Sequence, residues 1–514
     1  MSVKHSFEVE YFHETYDLDE ELTVPQFEAV VEPLVERAAA VADAALSKAG
    51  VDKSDLNGVL LAGGTSQVPL VKDMLEQRFD CKAMIAAKDL MWLIAKGAAI
   101  HHRDLMTRPK EATRLILGSD LYLETYTHGR PGETLLVPSH QTLPHSSTRE
   151  FPVNPHSQCV TVQLLTESGT HGEELLKLER REINVAGRAL SRIGVKVAID
   201  RNKSIKISVS DPKTKAPLDN VEIAGEGLST PEEIKAARAE FGLPSITQSP
   251  ARGSQRYAVG IDLGTTTCEA IVWDLEGQEF HRGIDEPLLS QVLVRDSGAI
   301  SVDNGEYNTA MEGYFSNFKV DIGLGTGAQK YTAHGKHWPP EILSAHLLAT
   351  IWQQLQTRFG AKAVLTEAVI TVPSDFSEDQ TALVLNAAKV AGIESPTLLS
   401  EPVAAFLAYA DYYPDIKKAD KKFLIFDFGG GTTDVCVIET KPAAQPSTLA
   451  SNGNNAIGGK DITNQIADTI VERFIAKNGL ALKKPDRERL RKVLFKKADK
   501  AKIDLSMALV GGEA

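Results

Sequence analysis

Cysteine is scarce in this chain of 514 residues. The four thiols, Cys81, Cys159, Cys268 and Cys436, lie far apart, and none sits in a C-x-x-C pair. There is no basis for a disulfide framework, and the pattern predicts buried free thiols in a reducing compartment. No apolar run is long enough to span a bilayer, and the opening Met-Ser-Val-Lys-His-Ser-Phe has no apolar core. Neither a membrane span nor a signal peptide is expected, so the chain reads as soluble and cytoplasmic. An excess of positive charge is also missing. A net charge of −13 argues against a non-specific binder of nucleic acid or anionic membrane. The basic stretch 483–502 reads as a solvated helix face. His128, His140, His145, His156 and His171 lack the fixed spacing of a metal site and default to surface loops. The His101-His102 pair reads as a helix end. No solenoid-length repeat is apparent.

Length alone suggests about three or four domains, and 42% hydrophobic residues are ample for packed cores. Residues 1–23 are strand material, with Phe7, Val9 and Tyr11 alternating. A long helix follows, opened by a Thr23/Gln26 capping box and closed at Gly50. Residues 58–69 read as strand, Gly63-Gly64 turn and helix start, and residues 89–102 as another helix. From 115 to 223 helical periodicity disappears. Short alternating segments separated by Pro, Gly, Asn and Asp predict an antiparallel β-sandwich. A short helix at 229–241, capped by Ser229 with Glu232, precedes a Pro- and Ser-containing linker. From Tyr257 an α/β pattern takes over, with a Ser377/Gln380 capping box and helices at 462–477 and 487–506.

Chemistry concentrates at two glycine turns. Residues 426–434 read Phe-Asp-Phe-Gly-Gly-Gly-Thr-Thr-Asp between apolar strands, and Gly260-Ile261-Asp262-Leu263-Gly264-Thr265-Thr266 repeats the idea. Glycines let backbone N–H groups approach a phosphate, and flanking carboxylates suit a metal-bound phosphate. A single such turn is equally well an ordinary tight hairpin. Two of them can clasp one nucleotide. The Gly63-Gly64 turn serves either tight packing or the approach of a planar base.

Together these stretches resemble the seventy-kilodalton heat-shock, or DnaK-type, chaperone family over nearly the whole chain. Residues 259–266 are similar to its first phosphate motif, 401–409 to its first connecting helix, and 426–434 to its second phosphate motif. Residues 497–506 resemble the adenosine-clamping helix, 60–69 the adenosine motif and 94–99 the second connecting helix. The resemblance implies an α/β, actin-like, two-lobed ATPase domain assembled from both ends of the chain, plus an antiparallel β-sandwich peptide-binding domain. Its boundaries would be 1–106 (rear part of lobe two), 107–118 (linker), 119–224 (sandwich), 225–256 (residual lid helix and linker) and 257–514 (lobe one and the front of lobe two). The order of motifs differs from the family's and looks like a circular permutation. A slice through a tandem pair or an engineered frame is also open.

The roles implied are specific. Asp262, Asp427 and Glu401 would organise Mg2+ through waters, with Asp434 near a K+ site. Gly264, Thr265, Thr266, Gly429, Gly430, Gly431 and Thr432 would hold the phosphates of ATP or ADP. Lys319 would sit beside the attacking water. Gly63, Gly64, Thr65, Gln67, Asp499, Lys502 and Ser506 would surround the adenosine, although Asp499 and Lys502 also suit a surface ion pair. Tyr126, Val153, Val160 and Val162 would border a peptide cleft, or simply fill the sandwich core. Partners would be extended peptide segments, a J-domain co-chaperone and a nucleotide exchange factor, with no nucleic acid or membrane. Gln67 and Thr381 stand where the family has arginines, and the lid is largely missing. A nucleotide-binding scaffold with little hydrolysis is the second reading. A sugar kinase of the same superfold is the third, disfavoured by the sandwich.

Overall fold

The computed structural model describes residues 4–13, 16–85, 90–109, 120–127, 130–138, 141, 143–167, 175–188, 190–200, 202, 205–223, 230–243, 255–305, 311–324, 330–442 and 446–510. Two mixed sheets form the α/β body. In one, Tyr257–Leu263 lies between Thr267–Asp274, antiparallel to it, and Glu367–Val372, parallel to it; Ser395–Ser400 forms one edge. In the other, the order is Ser447–Asn454, Thr433–Thr440, Lys421–Phe428, Gly58–Ala62, Ala83–Ile85. Gly58–Ala62 pairs in parallel with Lys421–Phe428, setting Phe426 opposite Leu61 and Asp427 opposite Ala62. Segments more than 300 positions apart in sequence therefore share one sheet. Every residue of Gly58–Ala62 is buried, as a near-continuous apolar run covered on both faces must be.

Two helices cross between the sheets. Leu93–Thr107 lies on the first sheet, where Gly260 admits it against Ala95 and Ala99. Glu401–Tyr412 lies on the second, and its Tyr409 hydroxyl donates to the Leu61 and Met84 carbonyls at 2.6 and 3.0 Å. The helices touch at Gly97. Lys96 pins them further, 2.9 Å from Asp411 and 3.5 Å above the Tyr412 ring centre. His101 and His102 lie inside the Leu93–Thr107 helix rather than at its end. The Val259 N–H donates to His102 Nδ1 at 2.8 Å.

The sandwich has two four-stranded antiparallel sheets. One runs Arg130–Val137, Leu121–Thr127, Cys159–Glu167, Leu175–Asn184. The other runs Pro217–Ile223, Ile205–Ser210, Arg192–Ile199, His145–Pro152. Leu123, Val162 and Leu164 meet Val195, Val197 and Ile207 in its core. His145 opens an edge strand rather than sitting in a loop. His128, His140 and His171, most of 107–118 and half of 225–256 lie outside the described residues. At the far side of the sandwich, Asn202 meets the body's sheet edge: Leu398 N–H donates to Asn202 Oδ1 at 3.2 Å.

The short helix is Pro231–Glu240, capped by Thr230 with Glu233, one residue beyond the expected Ser229/Glu232 box. Its sequence suggested a lid remnant, yet it packs on the α/β body. Ala237 and Leu243 join the core built around Pro340–Phe359, Lys336 Nζ donates to the Glu240 carbonyl at 2.6 Å, and His346 Nε2 lies 3.1 Å from the Phe241 carbonyl. Burial, aided by Lys336 and opposed by the bond to Phe241, lowers the His346 pKa to about 4. The unfolded chain takes up this proton near pH 6.5 and the folded chain does not. Stability is thus full above about pH 6.5 and falls by up to about 3 kcal/mol as pH drops toward 4. Thermal melts between about pH 7 and 4.5 are expected to show a steeper loss for the parent than for His346→Gln; parallel curves would contradict this.

The thiols are all free, but not all are buried. Cys268 and Cys436 are, whereas Cys159 is exposed at a strand start and Cys81 is half-buried. Among the described residues no helix is long and apolar enough to cross a membrane.

Candidate functional site

The two glycine turns meet tip to tip. A Cβ on Gly430 would fall 1.8 Å from Thr266 Oγ1, and one on Gly431 would fall 2.6 Å from Thr265 Cγ2. Neither position accepts a side chain while the hairpins touch. The second turn is also tied behind. Gly429 N–H donates to the Thr432 carbonyl at 3.0 Å, and the N–H groups of Gly459 and Lys460 reach Gly429 and Gly430 carbonyls at 3.0 and 2.8 Å. Thr265 and Thr432 are buried, while Thr266 is exposed.

Behind the turns lies a dense acidic cluster. Asp262, Glu269, Glu401, Asp427 and Asp434 are all buried, and Lys319 is the buried ammonium among them. Lys319 pairs with Glu401. Burial pulls the Lys319 pKa down, but Glu401 and Asp262 outweigh it and hold the group above its ordinary range. Burial, then Glu401, pushes Asp262 up to about 6, with Thr371 donating to its carboxylate. Asp427 and Asp434 face each other across the second hairpin. Burial, with the neighbouring carboxylates, raises both well above the usual range. Asp434 Oδ1 accepts from Ser374 N–H at 2.8 Å and from its hydroxyl at 3.0 Å.

Both Asp427 oxygens, Asp434 Oδ2 and Glu269 Oε1 are buried without a hydrogen-bond partner. Unpaired buried carboxylate oxygens at this density are compensated either by protonation or by cations. Among the described residues no group of three or more His, Cys, Asp and Glu side chains is arranged to ligate a metal directly.

The adenosine-side candidates converge from the other end of the chain. Gly63 has φ +77°, and a Cβ there would lie 2.4 Å from Asp427 Oδ1. Thr65 Oγ1 donates to the Gly429 carbonyl at 2.8 Å. Gly64 and Gln67 are exposed. Opposite them, on Lys484–Val510, Lys502 Nζ reaches Asp499 at 2.6 Å and Thr463 Oγ1 at 3.0 Å, and Ser506 Oγ donates to the Lys502 carbonyl at 2.7 Å. The Asp499–Lys502 pair thus exists, within a network that also includes Thr463. A Cβ on Gly459 would meet both Thr65 Oγ1, at 2.4 Å, and Lys502 Nζ, at 3.5 Å, so the turn and the helix share one corner.

The sandwich candidates divide. Val160, Val162 and Leu164 share the inward face of their strand, and exposure falls along it from half-buried Val160 to fully buried Leu164. Val162 is buried in the sandwich core, because strand alternation turns it into the inter-sheet space. Val153 and Val160 lie at the more open end. The Tyr126 backbone pairs with Pro131; its side chain lies outside the described residues.

Sequence reasoning missed Glu269, Thr371 and Ser374. Glu269 did carry a signal, since an acid inside the apolar strand Thr267–Asp274 is anomalous. Thr371 and Ser374 carried none, because their role depends on which strands become neighbours.

A family model described as "Hsp70 protein" matches residues 1–242 and 309–510, together most of the chain. The "Chaperone protein DnaK" of Endomicrobium trichonymphae is 33% identical over 265 residues, which cover 49% of this chain. The match spans 40% of that relative's length. With a family model matched over more than half of the chain, the second sheet and the sandwich included, the chain belongs to the Hsp70 protein family.

Proposed function

We propose that the chain is an ATP-dependent molecular chaperone that binds extended apolar peptides and hydrolyses ATP slowly. The two α/β sheets are read as the lobes of an actin-like ATPase, and the sandwich as the peptide-binding domain, working in the cytoplasm. The order of the pieces is read as a circular permutation. One observation carries the proposal: two glycine hairpins touch over a buried acidic cluster while Gly63, Thr65 and Lys502 converge on the same tip.

Phosphoryl transfer to water asks the protein mainly for position and charge. Backbone N–H groups of the glycine turns and the hydroxyls of Thr265, Thr266 and Thr432 donate to phosphate oxygens. Lys319, held by Glu401, is positioned to orient the attacking water. Mg2+, held through waters by Asp262, Asp427 and Glu401, would supply charge neutralisation on the phosphates; K+ would belong near Asp434. Asp499, Lys502 and Ser506 face the adenosine. In the sandwich, peptide backbone pairs with strand edges while Val153 and Val160 border a side-chain pocket. A J-domain co-chaperone and an exchange factor are the partners this reading implies. With Pro231–Glu240 packed on the body, peptide exchange is expected to be fast.

The test is steady-state ATP hydrolysis with and without an extended apolar peptide, in the parent and in Asp427→Ala. Slow turnover stimulated by peptide, and at least about 100-fold lower in the variant, is the expected result. Nucleotide binding without turnover would favour the scaffold instead. Turnover blind to peptide would leave an uncoupled ATPase, in keeping with Thr381 standing where the family has an arginine; its hydroxyl is buried without a partner.

A further inference from the structure

The second glycine turn is tied from behind by Gly459 and Lys460. The first has a tie of its own. Ser290 sits between the short strands Leu288–Leu289 and Gln291–Val294 and is 5% exposed. Its hydroxyl donates to the Gly264 carbonyl at 2.7 Å, and its N–H donates to the Thr266 carbonyl at 2.8 Å. One residue therefore holds both ends of Gly264-Thr265-Thr266. The hydroxyl's single hydrogen goes to Gly264, so the Cys268 thiol, 3.3 Å away, is the donor to Ser290 Oγ. The segment carrying Ser290 is anchored in turn. Leu289 N–H donates to Asn304 Oδ1 at 2.8 Å, and the Gln291 side chain donates to the Asp303 and Gly305 carbonyls at 3.0 and 2.9 Å. Leu288 and Val292, two residues to either side, are buried and apolar, so packing alone does not ask for a hydroxyl here.

We propose that Ser290 is a positioning residue that aims the first glycine turn at the phosphates of the nucleotide. This rests on the reading of that turn as a phosphate loop of an ATPase. Ser290 lies behind the turn and acts through the peptide joining Gly264 to Thr265. A trans peptide carries its C=O and N–H on opposite sides of one plane. Holding the Gly264 carbonyl against Ser290 therefore points the Thr265 N–H away from it. The second bond, to the Thr266 carbonyl, keeps the turn from rocking about the first. Gly264 resists rotation of that plane little by itself, so the orientation of the donor depends on the group that holds it from behind.

The experiment is calorimetric titration of the full chain, at fixed Mg2+, with ADP and with adenosine, for the parent and Ser290→Ala. The variant is expected to bind ADP about tenfold more weakly and adenosine within about twofold of the parent, because only phosphates meet the turn. ADP affinity equal to the parent's would reduce Ser290 to packing and overturn the proposal. Equal losses for ADP and adenosine would overturn it too, since that is the mark of a generally loosened site. Should Ser290→Ala not fold, Cys268→Ala, which removes the donor to Ser290, is expected to weaken ADP by about threefold and leave adenosine unchanged; no change for ADP overturns the proposal. A parent that binds neither ADP nor adenosine overturns the nucleotide-binding reading and this inference with it. Tight ADP binding in the parent with an unaltered Ser290→Ala variant overturns this inference alone.

Discussion

Lys319→Ala is expected to lower ATP turnover by about 100-fold or more and to destabilise the protein by about 3–5 kcal/mol. The two effects share a cause. Lys319 is 3% exposed and pairs with Glu401, which is also buried, in a cluster otherwise composed of carboxylates. Removing the ammonium leaves Glu401 and Asp262 facing each other without compensation. Breaking such a pair by deleting one partner is far worse than replacing both with neutral groups. The double variant Lys319→Met with Glu401→Gln is therefore expected to regain most of the stability while turnover stays low. Melting curves and single-turnover hydrolysis separate the two quantities. Near-parental turnover in a folded Lys319→Ala protein would remove Lys319 from the catalytic assignment.

The glycine hairpins were legible in the sequence because their constraint is local. Three consecutive glycines between two apolar runs mark a tight turn joining two strands, and Asp427 stands opposite Asp434. Capping boxes at Thr23 and Ser377 were equally local, and both helices start where those residues predict. Edge strands were not legible. Ser395–Ser400 contains a proline, and Ser447–Asn454 is rich in Ser and Asn, so neither carries the apolar signature of a central strand. His145–Pro152 is mostly polar for the same reason. The placement of Pro231–Glu240 was illegible because its weakly apolar face suits many partners; Lys336, His346 and Trp338 on the body decide it. At the candidate site, residues carried by a motif could be named in advance. Residues defined by strand adjacency, Thr371 and Ser374, could not.

Gly97→Ala is expected to cost about 3 kcal/mol or more, although alanine is the better helix former. In an open helix the change would be favourable by up to about 1 kcal/mol. Here the added Cβ would sit 1.8 Å from the Ala404 carbonyl oxygen and 2.4 Å from its carbon. These are backbone atoms of the opposing helix, so no rotamer change relieves the overlap, and the helices must separate. Gly260→Ala meets the same obstacle from the other side, 2.2 Å from Ala99 N and 2.3 Å from the Ala95 carbonyl oxygen. Gly50→Ala is the control. It has φ +62° but nothing within 4 Å, so only about 1 kcal/mol of backbone strain is expected. Chemical denaturation of the three variants distinguishes steric wedging from conformational preference; equal losses at all three would reject the wedge. The wedge also reaches the site. The helix Leu93–Thr107 is clasped between Gly260, two residues before Asp262, and Ala404, three residues after Glu401. Forcing the helices apart moves Asp262 relative to Glu401. Nucleotide affinity is therefore expected to fall in Gly97→Ala even under conditions where the protein remains folded, and to stay unchanged in Gly50→Ala.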